Sequence, residues 1–481
     1  VDAPRVRFAP SPTGMFHVGS ARSSLFNWLV ARRHGGAFLL RIEDTDTERN
    51  REDWVEVILD SLTWLGLDLD EPPVRQSEFA AAHADAATRL FEAGRLYACD
   101  CTRDAIDERL KGTGRTGYDG FCRERGLPRG AGAVLRFPVP GEGETVVHDM
   151  IRGDVVFRNE TIEDFAVVRS NGMALFSLAN LVDDRSMRIT HVIRGEEHLA
   201  NTPKQLLLGA ALDEVEGVVT EVPAFAHLPL LVNERRQKLS KRRDPVAVER
   251  YRDQGYLPAA MVNFLGLLGW SPRGDAEKVP VETMIEQFAL EDVTHSPAFF
   301  DVAKLTHLNG EYIRELSPEA FVEACRPWVA PRVGEWAPTD RQPPWAPERF
   351  DEPRFRAIAP LVQERVATLG EVPAMVDFLF LADPPRDPSA FESAIRGQPD
   401  ARRILADALA AYETSDFDAP TLHAVLVDVG SRFGLALRRA QAPVRVAITG
   451  RTVGPPLFES MVLLGRDEVA RRLALALRDA G

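Results

Sequence analysis

Short apolar runs alternate with proline- or glycine-marked breaks at the start of the chain. Val6-Arg7-Phe8 reads as a short strand. Ala9-Pro10-Ser11-Pro12-Thr13-Gly14 is a loop, because each proline removes a donor and restricts the residue before it. From about Ser20 to Arg33 the positions Leu25, Trp28, Leu29 and Arg32 recur at helical spacing, and Gly35-Gly36 supplies a stop. Ala37 to Ile42 reads as a buried strand ending in the carboxylates Glu43 and Asp44. This order predicts an α/β fold opening on a doubly wound sheet, whose ligands sit at the carboxyl ends of the strands.

From about Cys99 to Glu163 the pattern changes. Glycines become frequent, and alternating runs such as Val134-Leu135-Arg136-Phe137 and Asp154-Val155-Val156-Phe157 predict antiparallel strands in an insertion. The parallel pattern resumes at Arg188 to Arg194, with a helix from about Glu196. Beyond His307 the chain reads as helical. Pro327, Pro331, Pro338, Pro343, Pro344, Pro347 and Pro353 predict a linker or irregular stretch, and Pro384, Pro385 and Pro388 a second break.

The chain has 481 residues, enough for about three domains and a large core. Four cysteines in that length are no disulfide framework and fit a reducing cytoplasm. No apolar run approaches the roughly 18 residues of a membrane span, so no membrane partner is expected. The opening Val1-Asp2-Ala3-Pro4-Arg5 has no apolar signal core, so export is not expected. Against 58 Lys and Arg stand 72 Asp and Glu, a net charge of -14, which argues against a general nucleic-acid binder. Local basic faces survive that balance. One is Arg235 to Arg243; another is the last fifty residues, with Arg438, Arg439, Arg445, Arg451, Arg471 and Arg472. On composition alone such runs are solvated faces.

Gly112-Thr113-Gly114-Arg115-Thr116-Gly117 formally matches a dinucleotide fingerprint, but it follows a helical pattern instead of a strand and is set aside. No P-loop and no G-x-S-x-G occurs. More informative is the loop Pro10 to Ser20, where His17-Val18-Gly19 feeds a helix N-terminus, a place whose free N–H groups favour anions. Far along the chain, Lys238-Leu239-Ser240-Lys241-Arg242 is a short basic loop of the kind that stabilises charge on a phosphoryl centre.

Together these two motifs resemble the paired nucleotide-binding signatures of class I aminoacyl-tRNA synthetases. Arg7-Phe8-Ala9-Pro10-Ser11-Pro12-Thr13-Gly14, Arg41-Ile42-Glu43-Asp44-Thr45-Asp46, Val182-Asp183-Asp184 and Val192-Ile193-Arg194-Gly195-Glu196-Glu197 resemble the bacterial glutamyl-tRNA synthetases. Ala226 to Leu230, Phe264 to Trp270, Leu308 to Ile313 and Pro443 to Gly450 extend the likeness over nearly the whole chain. The resemblance implies a class I Rossmann-like catalytic domain with an inserted acceptor-binding domain, followed by an all-α anticodon-binding region. Its expected divisions are 1–95 and 176–310 for the catalytic halves (the second including the stem-contact region), 96–175 for the insert, and 311–481 for the helical part.

For the reaction, the resemblance implies ATP-dependent activation of L-glutamate to the adenylate, then transfer to the 3′-terminal adenosine of tRNA(Glu), with Mg²⁺ accompanying ATP. It makes His17, Lys238 and Lys241 catalytic. His17, Gly19, Glu197 and Lys241 would seat ATP. Arg7 would take the glutamate side-chain carboxylate, where a planar guanidinium can bind two oxygens. Arg194 would be a second cation, and Ala9, Ser11, Glu43, Phe176 and Asn180 would complete the amino-acid site. Phe176 stands where the family usually has tyrosine, and Ser20 where the motif's second histidine would be. Arg356, Arg365, Arg438, Arg439 and Arg451 are expected among the anticodon readers.

Cys99-x-Cys101 with Tyr118-x-x-x-Cys122 offers three thiols and a phenol at spacings suited to a closed tetrahedral Zn²⁺. The pattern resembles the zinc site of some glutamyl enzymes and of glutamyl-queuosine tRNA synthetases, and implies a structural role. A glutamyl-queuosine enzyme is the alternative reading, but such enzymes lack the residues that follow Pro353 here. A non-discriminating enzyme that also charges tRNA(Gln) is another, as is a binding protein built on a decayed synthetase, against which the intact His17, Gly19, Lys238 and Lys241 argue. The family is mostly monomeric.

Overall fold

The computed structural model describes residues 3–46, 48–113, 117–130, 132–240, 243–274, 276–339 and 342–480. Lys241, Arg242 and the Gly114-Arg115-Thr116 centre of the fingerprint-like segment lie outside the described residues. The chain forms two units. One comprises Val1–Glu249 and Met261–Val302, the other Arg250–Ala260 and Ala303–Gly481.

The first unit opens as its sequence pattern predicts: β1 (Arg5–Phe8), α1 (Val18–His34) and β2 (Ala37–Ile42). α1 begins because the His17 imidazole accepts the Gly19 N–H, and it ends at Gly35 in the left-handed region, φ 62°. There follow α2 (Glu52–Leu65), β3 (Val74–Arg75), α3 (Ala80–Glu92), β4 (Tyr97–Cys99), α4 (Arg103–Leu110), β5 (Val134–Arg136), β6 (Glu144–Asp149), β7 (Gly153–Arg158) and β8 (Ala166–Val168). Then come α5 (Phe176–Ser186), β9 (His191–Gly195), α6 (Thr202–Glu216) and β10 (Ala224–Leu228). A 3₁₀ stretch over Glu196–Asn201 precedes α6, so the α-helix starts six residues later than the sequence suggests.

The main sheet runs β3-β2-β1-β9-β10-β6-β7. All its pairs are parallel except the β6–β7 hairpin. The segment expected as a single insert therefore serves two sheets. β4, β5 and β8 form a separate antiparallel sheet, while the β6–β7 hairpin extends the parallel one through β10. Alternation along a strand is the same whichever sheet receives it, so Asp154 to Phe157 reads identically in both cases.

The second unit is helical throughout its described length beyond Ala303, apart from connecting turns. Phe321, Phe355, Phe378, Leu405, Leu426, Val444 and Leu473 lie in its core. The buried Arg472 donates to the carbonyls of Ile448, Phe378 and Leu381, tying three segments together. Pro327 breaks nothing: the helix Pro318–Val329 runs through it, with Trp328 and Val329 buried. Nor is the proline-rich stretch a free linker. Trp345 is buried, donates to the Val329 carbonyl at 3.0 Å and packs on Phe380. Apolar anchoring here outweighs the lost helix hydrogen bonds that prolines impose.

Candidate functional site

The carboxyl ends of β1, β2 and β9, the N-terminal turn of α1 and the segment 229–239 enclose a cavity of about 570 Å³. Arg7, Ala9, Ser11, His17, Gly19, Glu43, Phe176, Asn180, Arg194, Glu197 and Lys238 all line it. Every residue expected at the nucleotide and amino-acid sites is thus brought together, except Lys241, which lies outside the described residues.

The first motif is joined through the backbone to the segment that follows the second, more than two hundred residues along the chain. The Val18 N–H donates to the Val246 carbonyl at 2.8 Å and the Val248 N–H to the Phe16 carbonyl at 2.9 Å. His17 Nδ1 accepts the Gly19 N–H at 2.9 Å, so a neutral ring carries its proton on Nε2, where it is a donor suited to a phosphate oxygen. A Cβ on Gly19 would stand 3.2 Å from that Nδ1, crowding the cap. Lys238 Nζ lies 3.8 Å from Glu197.

Arg7 and Arg194 face the cavity with different support behind them. The Nε and Nη2 of Arg7 take both oxygens of Asp184, at 3.1 and 3.2 Å. Asp184 also accepts from Arg41 at 2.7 Å. Burial pushes the Asp184 carboxyl up, but Arg7 and Arg41 outweigh it and bring its pKa down to about 2. The fully buried Arg41 also pairs with Asp183 and Glu43 and donates to Asn180. Asp183 in turn holds Gln76 and His83. Glu43 is raised by burial despite Arg41 and Arg7. The Nε–Nη2 edge of Arg7 is therefore occupied by Asp184, which leaves its end-on edge toward a ligand.

Arg194 has no such partner. It is 8% exposed and donates only to neutral groups: His227 at 3.3 Å, Thr202 at 2.9 Å and Gln205 at 2.8 Å. Burial, with Arg7 nearby, lowers its pKa to about 9. No carboxylate among the described residues lies within salt-bridge distance of it.

Two cavity residues escape a reading of the sequence. Arg22, in the early turns of α1, is buried and donates to the carbonyls of Leu268 and Pro229; burial, against the pull of Glu197, lowers its pKa to about 10. His198 stacks on Phe176 with centroids 5.3 Å apart, and burial together with Arg194 lowers its pKa to about 4. With Arg7, Arg22, Arg194 and Lys238 around it, the cavity is built for an anionic ligand or two.

In the insert, Cys99, Cys101 and Cys122 place their sulfurs within 4.8 Å of one another, and the Tyr118 hydroxyl lies 3.4 Å from Cys99 Sγ. Sulfurs around a tetrahedral zinc stand about 3.8 Å apart at the usual bond length, so the three thiols are compatible with that ion, while the Tyr118 oxygen accepts the Cys122 N–H at 2.8 Å. Arg125 and Arg109 approach the sulfurs of Cys122 and Cys101 at 3.1 and 3.5 Å, and Arg136 covers the Tyr118 ring. In the helical unit, Arg356 is paired with Glu352 and Arg451 with Asp377. Arg365, Arg438 and Arg439 have no carboxylate partner among the described residues.

Residues 4–307 match the catalytic domain of class I tRNA synthetases (E and Q), and residues 320–477 match an anticodon-binding domain. The glutamate–tRNA ligase of Frankia alni is 56% identical over 474 residues, covering 98% of this chain and 97% of that one. That of Thermobifida fusca is 52% identical over 480 residues, covering 98% and 97%. A crystal structure of a glutamate tRNA ligase from Elizabethkingia meningosepticum in complex with its amino acid is similar with a TM-score of 0.81 at 29% identity, over 100% of both chains.

Proposed function

Because the chain belongs to the glutamate–tRNA ligases of the class I tRNA synthetase family, we propose that the cavity at the strand ends is where it joins glutamate to ATP and then to tRNA. The enzyme activates L-glutamate with ATP and Mg²⁺ and esterifies tRNA. In the first step the α-carboxylate attacks the α-phosphorus, releasing pyrophosphate. In the second a ribose hydroxyl of the 3′-terminal adenosine of tRNA(Glu) displaces AMP. Neither step needs an enzyme nucleophile. The rate comes from holding the reactants in line and from neutralising charge as it moves along the phosphates.

His17 Nε2–H and the N-terminal turn of α1 bind phosphate oxygens, joined by Lys238 and Lys241. Gly19 lets the chain approach the nucleotide closely, and Glu197 orients Lys238. Glutamate lies between Arg7 and Arg194, with Ala9, Ser11, Glu43, Phe176 and Asn180 around its backbone groups. The observation that supports this most is Arg194, a buried cation in the cavity that His17 and Lys238 share, with no carboxylate among the described residues at salt-bridge distance. Such a group calls for an anionic ligand, and a dicarboxylic amino acid supplies one.

Cys99, Cys101, Tyr118 and Cys122 would hold a structural Zn²⁺ that braces the insert against the tRNA acceptor end. The helical unit reads the anticodon, with Arg365, Arg438 and Arg439 as the side chains open to unstacked bases. The protein works in the cytoplasm, as a monomer. Incubation of the enzyme with ATP, Mg²⁺, labelled glutamate and total tRNA tests this. Label should appear at the tRNA 3′ end as an ester released by mild base. Label that resists base, or none at all, would refute the proposal.

A further inference from the structure

Behind Arg194 lies a pair of buried groups to which the reaction as described gives no part. His227, on β10, and Asp149, at the end of β6, are both essentially removed from solvent. The Asp149 carboxylate takes four hydrogen bonds: from His227 Nδ1 at 2.6 Å, from the His227 backbone N–H at 3.0 Å, and from the N–H groups of Ile151 and Arg152 at 3.0 and 2.9 Å. A carboxylate so placed fixes the imidazole proton on Nδ1. The other nitrogen, Nε2, is then a lone pair. It meets the Nε–H of Arg194 at 3.3 Å and the hydroxyl of Thr202 at 3.1 Å.

This arrangement has a consequence for charge. A carboxylate directly behind Arg194 would orient it but also neutralise it, as Asp184 does for Arg7. A neutral imidazole orients the guanidinium through a hydrogen bond and leaves its charge for the ligand. The opposite tautomer would set one N–H against another, so Asp149 keeps His227 an acceptor. Burial works in the same direction: it lowers the His227 pKa ahead of the upward pull from Asp149.

We propose that His227, locked by Asp149, is a positioning residue that aims Arg194, which no described carboxylate pairs directly, at the substrate carboxylate. This rests on the reading of Arg194 as a glutamate receptor. It also gives the β6–β7 hairpin a part in amino-acid recognition, because that hairpin carries the carboxylate at the base of the relay.

The test compares full-length wild-type enzyme with His227→Asn, His227→Gln and Asp149→Asn in the charging assay, measuring KM for glutamate and for ATP separately. Asparagine can still donate to Asp149 but ends short of Arg194; glutamine carries a carbonyl oxygen out to the Nε2 position. His227→Asn should raise the glutamate KM about tenfold, roughly 1.4 kcal/mol, with kcat and the ATP KM within about twofold. His227→Gln should recover most of that loss, and Asp149→Asn should raise the glutamate KM in the same direction as His227→Asn. A folded His227→Asn enzyme with the wild-type glutamate KM overturns the proposal, as does an equal rise for glutamate and ATP. Failure of all three variants to fold also overturns it, since the pair would then be a folding element. If the wild-type enzyme itself charges no tRNA, the functional reading fails, whatever the variants do.

Discussion

Arg7 and Arg194 predict opposite balances of stability and binding, and a pair of substitutions to methionine exposes the difference. Arg7→Met removes one of the two cations on Asp184, a carboxylate buried between Arg7 and Arg41. Breaking a buried pair from one side costs about 3–5 kcal/mol. For Arg194 the sign is different. Burial draws its pKa from the ordinary arginine value to about 9, which sets the charged form roughly 4–5 kcal/mol above where it stands in water. Replacing it returns up to that amount. Against this stand the acceptors it leaves behind on Thr202 and Gln205, at about 1–3 kcal/mol each, while His227 keeps the Thr202 hydroxyl. The two effects nearly cancel, so Arg194→Met should unfold within about 2 kcal/mol of wild type. Both variants lose a charge-assisted bond to the substrate, and each should weaken glutamate binding by at least tenfold. Urea unfolding of the ligand-free enzymes, followed by calorimetric titration with glutamate, reads both quantities. An Arg194→Met enzyme as unstable as Arg7→Met would show that Arg194 is paired in solution, and the reasoning would fail.

Acid should reveal the Asp184 pair. Its folded pKa of about 2, below 3.8, means the stability it contributes, roughly 2 kcal/mol, is present above about pH 4 and is lost as the pH falls toward 2. The gap in urea midpoint between wild type and Asp184→Asn should narrow below pH 4; a gap equal at pH 3 and pH 7 would contradict this. Purified enzyme should carry one zinc by elemental analysis, and Cys99→Ser should lose it; wild-type protein without metal refutes the site. Lys241→Ala should lower adenylate formation by orders of magnitude and change glutamate binding little, and wild-type turnover in that variant would remove the lysine from the mechanism.

Much of the catalytic side was legible along the chain because it lies in contiguous signals. Prolines 10 and 12 mark the loop before α1, the apolar run 37–42 marks β2, and His17 and Lys238 belong to short motifs that converge on one cavity. The thiols Cys99, Cys101 and Cys122 announce themselves by spacing, and they do come together. What stayed hidden is the support behind the ligand-facing groups. Arg7 meets Asp184 across 177 positions and His227 meets Asp149 across 78. Nothing in periodicity says which buried polar residue will stand opposite which. Arg22 was missed because it sits on a helix buried on most sides, where a cation can end on backbone carbonyls. Pro327 misleads because local propensity yields to burial: it sits inside the helix Pro318–Val329, whose apolar face is packed.

A crystal structure with a non-hydrolysable glutamyl-adenylate analogue tests the central claim most directly. The account predicts the side-chain carboxylate within hydrogen-bond reach of the Arg194 guanidinium and the end-on edge of Arg7, with the phosphate mimic beside His17. A side chain directed away from Arg194, with that guanidinium turned to a protein carboxylate instead, would contradict it.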